Sequence, residues 1–189
     1  GSRFIQNGVL TERQTRNFGF ALFTAVALAG IWLMMNSSFQ LLYIGVAGLF
    51  IGWAYSATPL RLNSRGLGEL CIVAGFLLIV VGADFVLRWE FSVAPFIAGL
   101  SYALLAANLL YINQFPDRAA DIAAGKLHWV ARLEVAQART GYVLIGALAY
   151  GWLSLCVAVG WLPLTALLAL LALPLSVKAA GQLWRYSDQ

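Results

Sequence analysis

Residues 67–87 read LGELCIVAGFLLIVVGADFVL, an apolar run whose acids, Glu69 and Asp84, stand only near its two ends. A helix of this length can cross the ~30 Å hydrocarbon core of a bilayer. Comparable runs occupy 18–35, 40–56, 93–112, 141–159 and 164–184, so the chain reads as six transmembrane helices. The second is short for a span. The sixth carries Pro174, where a kink is expected, because neighbouring helices can satisfy the freed carbonyl. Residues 1–16 are polar and charged and do not read as a cleavable signal peptide.

Composition leads to the same class. Of 189 residues, 61% are hydrophobic and only 11% charged, and the mean hydropathy is +0.81. A soluble domain is nearer half apolar and a quarter charged, and a small one cannot hide this excess in its core. Lipid must be the solvent for much of the chain, and no nucleic-acid partner is expected. Gly and Ala within the runs (Gly45, Gly48, Gly52, Gly146, Gly151) suit close approach of helices in a bundle. Cys71 and Cys156 lie in apolar runs without metal-type spacing and read as small packing residues.

The loops differ sharply in charge. One side of the membrane would carry Arg3, Arg13, Arg16, Arg61, Arg65, Arg118, Lys126, Arg132, Arg139, Lys178 and Arg185; the other would carry Arg88 alone. The positive-inside rule assigns the rich side to the cytoplasm. Asp84 is expected to pair with Arg88, which makes a conduction path through the span the weaker reading.

Two loops on the basic side hold the candidate chemistry. In the first, residues 55–70 read YSATPLRLNSRGLGEL: Pro59 breaks the helix, and Arg61 and Arg65 present rigid donor forks that suit phosphate oxygens. The plainer reading is a basic turn placed for topology alone. In the second, residues 113–126 read NQFPDRAADIAAGK, spacing Asn113, Asp117 and Asp121 four apart. Residues four apart share a helix face, and two carboxylates with an amide are hard oxygen ligands of the kind Mg²⁺ takes beside substrate phosphates. Pro116 disfavours helix at Phe115, so the membrane helix is expected to end near Asn113 and a short helix to restart at Pro116. The alternative is that the acids pair with Arg118, Lys126 and Arg132 in a solvated loop. An arginine-rich loop and a Mg²⁺-capable loop on one membrane face together describe a diphosphate site over an apolar cavity.

At these two loops the sequence resembles the UbiA-type intramembrane aromatic prenyltransferases, and within them the branch that includes the menaquinone-pathway naphthoate prenyltransferases. Residues 55–70 look like the family's first-loop pattern of Tyr, Pro, Arg and Gly-x-Gly-Glu. Residues 113–126 look like its second aspartate-rich motif, continued by Gly125, Lys126, Arg132 and Leu133. The resemblance implies an all-α bundle of nine transmembrane helices, of which residues 1–189 would form six as one domain. It implies Mg²⁺ as cofactor, and transfer of a polyprenyl group from a polyprenyl diphosphate to an aromatic acceptor within the lipid bilayer, in a bacterial or archaeal plasma membrane. On it, Asn113, Asp117 and Asp121 would hold metal, with the two aspartates catalytic, and Lys126, Arg61, Arg65 and Tyr55 would contact diphosphate. Phe50, Trp53, Tyr102 and Tyr111 are the candidates for the cavity wall.

Departures accompany the match. The family's first aspartate-rich motif should precede a segment like residues 1–10, so the chain is expected to be part of a longer one. His128 stands where the family often has Thr, and is expected to be an interfacial loop residue beside Trp129, with acid–base chemistry as the alternative. A non-catalytic membrane subunit that binds a lipid or quinone within a larger protein complex is the competing reading.

Overall fold

The computed structural model describes residues 5 and 7–186; 81% of these described residues are helical, and no strand occurs among them. The α-helices are α1 (Glu12–Asn36), α2 (Leu41–Ser56), α3 (Gly68–Arg88), α4 (Ala94–Ala123), α5 (Trp129–Arg132), α6 (Val135–Ala158) and α7 (Leu173–Tyr186). Short 3₁₀ segments cover Leu62–Arg65 and Leu164–Ala172. Among the described residues, α1, α3, α4, α6 and the segment Leu164–Arg185 are long and apolar enough to cross a membrane. The 16-residue α2 is apolar but shorter; at 1.5 Å per residue it reaches only about 24 Å.

The chain divides into two compact units at Leu49/Phe50, inside α2. In the first unit α1 starts with a capping box: Thr11 Oγ1 accepts from Gln14 N–H, and Thr11 N–H donates to Gln14 Oε1 at 2.9 Å. The reciprocal bonds satisfy two amides that a helix start leaves open. None of the described α1 side chains is buried.

The second unit is held by close packing of α3 on α4 and α4 on α6. Gly99 permits the first contact, since a Cβ there would lie 3.2 Å from Val80 Cβ and from both of its γ-carbons. Trp152 Nε1 of α6 donates to Ile97 O of α4 at 3.0 Å, and Tyr150 Oη meets Ser176 Oγ of α7 at 2.7 Å. A buried cluster of Tyr111, Val130, Ala138, Tyr142 and Leu183 sits beneath α5. Buried Arg139 lies over the Trp184 ring, 5.4 Å from its centroid. Asp84 pairs with Arg88 at 2.9 Å, as its position beside that residue predicted, and both cysteines are free and buried.

Two expectations about prolines are corrected. Helix α4 does not end near Asn113 but runs without a break through Pro116 to Ala123. Phe115, the residue that Pro116 should push out of helix, stacks edge-on against Tyr111 at 6.1 Å and packs on the buried cluster. That burial offsets a proline cost of about 3 kcal/mol in a helix interior. Pro174 sits not in a mid-helix kink but in the first turn of α7, where the 3₁₀ segment gives way to α-helix. A missing N–H costs nothing in a first turn.

Candidate functional site

The continuity of α4 decides the geometry of the site. Because no break intervenes, Asn113, Asp117 and Asp121 fall on successive turns of one face, and all three line a single polar cavity of about 170 Å³. Tyr55 from the end of α2, Asn63 from the 3₁₀ turn, Leu110 and Gln114 from α4, and Lys126 and His128 from the loop after it complete the wall. At 30 residues, α4 measures about 45 Å and exceeds the hydrocarbon thickness of ~30 Å. Its last turns therefore belong to the polar mouth of the bundle.

The two loops singled out in the sequence meet at this mouth. Leu127 N–H donates to Ser64 O at 3.0 Å, and Arg132 Nη2 donates to Arg65 O at 3.1 Å. Gly66 turns between them with φ +81°, a left-handed conformation that glycine adopts without strain. Arg118 bonds the carbonyls of Val130 (2.9 Å) and Leu133 (3.2 Å), closing the end of α5 against α4. Arg118 and Arg132 thus hold backbone, so of the three cations in the alternative reading only Lys126 pairs with one of the acids.

Asp121 is the most engaged acid. Its Oδ1 lies 2.9 Å from Lys126 Nζ and its Oδ2 3.1 Å from His128 Nε2. Asp117 and Asn113 are exposed and have no protein partner among the described residues. Of the residues assigned to diphosphate, Tyr55 and Lys126 line the cavity, whereas Arg61 and Arg65 do not. Arg65 Nη2 folds back onto Pro59 O at 2.8 Å, and Arg61 is exposed with φ +42°. Phe50, Trp53 and Tyr102 are exposed, Tyr111 is buried in the cluster, and none of the four lines the polar cavity.

Sequence reasoning missed two features. His128 is buried, not interfacial, at 3% exposure, and accepts from Ala131 N–H through Nδ1 as the cap of α5. Gln114 Nε2 bonds the buried carboxylate of Glu69 at 2.8 Å. Each is a polar group under cover, which burial requires to be partnered.

The donor set suits a hard divalent ion. No group of three His, Cys, Asp or Glu suited to a metal occurs among the described residues. Instead two carboxylates and an amide share one helix face, hard oxygen donors of a kind that Mg²⁺ can take when water and phosphate complete its shell. A second, apolar recess of about 610 Å³ lies between Leu77, Ile97, Leu100, Trp152 and Trp161 and offers no such chemistry.

A helical bundle with several apolar helices long enough to cross a membrane defines the class: an integral membrane protein. The chain belongs to the UbiA prenyltransferase family, whose pattern it matches over residues 2–189. It is 29% identical over 194 residues to the 2-carboxy-1,4-naphthoquinone phytyltransferase of Synechocystis, covering 97% of this chain and 62% of that protein. It is 25% identical over 188 residues to the 1,4-dihydroxy-2-naphthoate octaprenyltransferase of Haemophilus influenzae, covering 94% of this chain and 60% of that one. The chain thus spans about three-fifths of the length of these curated relatives. No solved structure matches it.

Proposed function

We propose that this protein transfers a polyprenyl group from a polyprenyl diphosphate to an aromatic acceptor of the naphthoate type, with Mg²⁺ at Asn113, Asp117 and Asp121. The observation that carries this reading is the convergence of those three side chains with Lys126 and Tyr55 on one polar cavity of a membrane-embedded bundle. The names of the two relatives, one a phytyltransferase and one an octaprenyltransferase, support the reaction type.

The chemistry is heterolysis followed by aromatic alkylation. The bond between the allylic carbon and the diphosphate oxygen breaks, and its electron pair leaves with the diphosphate. A ring carbon of the acceptor then bonds to the allylic cation and loses its proton. Bound Mg²⁺ would supply charge neutralisation of the leaving diphosphate. Lys126 offers an ammonium that can move to the phosphate oxygens, and Tyr55 a hydroxyl donor at the cavity wall. Apolar surroundings exclude water that would otherwise trap the cation. By the positive-inside rule the site faces the cytoplasm, in the plasma membrane of a bacterium or archaeon.

The test is transfer of a radiolabelled polyprenyl diphosphate to 1,4-dihydroxy-2-naphthoate by protein in nanodiscs, with Mg²⁺ and with a chelator. Product that requires Mg²⁺ and disappears in Asp117→Ala and Asp121→Ala is expected. Full transfer in either variant overturns the assignment of the site. Absence of turnover with every prenyl diphosphate and aromatic acceptor tried favours the non-catalytic subunit.

A further inference from the structure

Both ring nitrogens of His128 are committed, and the commitment of one decides the role of the other. Nδ1 accepts the backbone N–H of Ala131 at 3.2 Å. A ring nitrogen that accepts carries no hydrogen, so the hydrogen of the neutral ring is on Nε2. Nε2 lies 3.1 Å from Asp121 Oδ2 and therefore donates to it. The first turn of α5 thus fixes the direction of a bond to a carboxylate on α4. This arrangement leaves His128 no free lone pair for a metal and no open position for moving a substrate proton.

The two oxygens of Asp121 are held unequally. Oδ2 faces a histidine whose side chain is 4% exposed, whereas Oδ1 faces Lys126, whose side chain is 42% exposed on a flexible stem. One bond is built into the fold, and the other can be exchanged with solvent or a guest.

We propose that His128 is a positioning residue for Asp121: it anchors Oδ2 so that Oδ1, released by Lys126, is presented to a divalent cation in the polar cavity. This rests on the metal-diphosphate reading of the site above. Partners of ligating carboxylates commonly change metal affinity by 10- to 100-fold when removed.

Mn²⁺ binding to the detergent-solubilised protein, followed by loss of the free-ion electron paramagnetic resonance signal, tests it without turnover. His128→Thr and His128→Asn both keep an oxygen to cap α5 but are too short to reach Asp121. Either variant is expected to weaken Mn²⁺ about 10- to 100-fold at a temperature where the metal-free variant is still folded, its thermal midpoint being lowered by loss of the buried ring. In transfer assays the Mg²⁺ needed for half-maximal rate should rise, with kcat restored at high Mg²⁺. Mn²⁺ affinity within twofold of the wild type in a folded variant overturns the inference. Asp121→Asn separates the two levels. If it abolishes Mn²⁺ binding while the His128 variants keep it, only the role of His128 falls; if it binds like the wild type, the reading of the site falls with it.

Discussion

Gln114 Nε2 donates to Glu69 Oε1 at 2.8 Å, joining the polar end of α4 to the first turn of α3. Glu69 is 8% exposed, and its Oε2 has no protein partner among the described residues. Removing one member of a buried polar pair costs the desolvation of the other, about 1–3 kcal/mol, whereas replacing both by apolar groups can be nearly neutral. Gln114→Leu should therefore lower the thermal midpoint in detergent, and Glu69→Leu/Gln114→Leu should regain most of the loss. Strictly additive losses in the double variant would show that the pair is not coupled.

Asp117 and Asp121 should separate function from stability. Asp117 is exposed and has no protein partner among the described residues, so Asp117→Asn should change stability by no more than about 0.5 kcal/mol. Its effect on prenyl transfer should be about 100-fold or more, since metal charge stabilisation is worth several kcal/mol. Asp121→Asn should lose activity and also stability, because Lys126 and His128 both lean on that carboxylate. Unfolding curves measured beside kcat/KM check the contrast, and equal destabilisation by the two variants would contradict it.

The spans and the three-residue face were legible because one rests on local hydropathy and the other on a four-residue spacing. Hydropathy marks where lipid ends, not where helix ends, so α4 outlasts its apolar run by eleven residues and α6 starts ahead of its own. The continuity of α4 across Pro116 depends on Phe115 finding Tyr111 and the buried cluster, a tertiary contact that a dipeptide rule does not contain. Helix α5 has only four residues and no usable period, and its cap is a histidine where Ser, Thr, Asp or Asn would have signalled it. Glu69 and Gln114 are 45 positions apart, so no local pattern connects them. The basic residues were legible as charge but not as donors to particular carbonyls.

Arg118 should behave as a brace for α5. It reaches the carbonyls of both Val130 and Leu133, through Nε and Nη2. A lysine has no planar fork to span both. Arg118→Lys should cost about 1–3 kcal/mol, the range for charged donors lost from partly buried acceptors. Faster hydrogen exchange confined to residues 124–134 is the expected signature. Exchange unchanged in that segment would show that α5 is held by its apolar contacts alone.

The contact of α3 with α4 should tolerate little added volume. At Gly99 a Cβ would meet three atoms of Val80 at 3.2 Å, all close to the α3 backbone and unable to swing aside as a long side chain could. In a membrane the helices gain little hydrophobic drive from each other, so close backbone approach supplies much of the attraction. Gly99→Leu forces the pair apart and should cost about 1–3 kcal/mol. Gly75 on α3 is a fair control, because a Cβ there meets nothing within 4 Å. Gly75→Leu should leave the midpoint of thermal unfolding near that of the wild type. Since α4 also carries Asn113, Asp117 and Asp121, Gly99→Leu should in addition weaken Mn²⁺ binding, although Gly99 lies some 20 Å along the helix from Asn113 at 1.5 Å per residue. A destabilised protein with unchanged metal affinity would show that the polar end of α4 is held independently, by Glu69, Arg118 and the α5 turn.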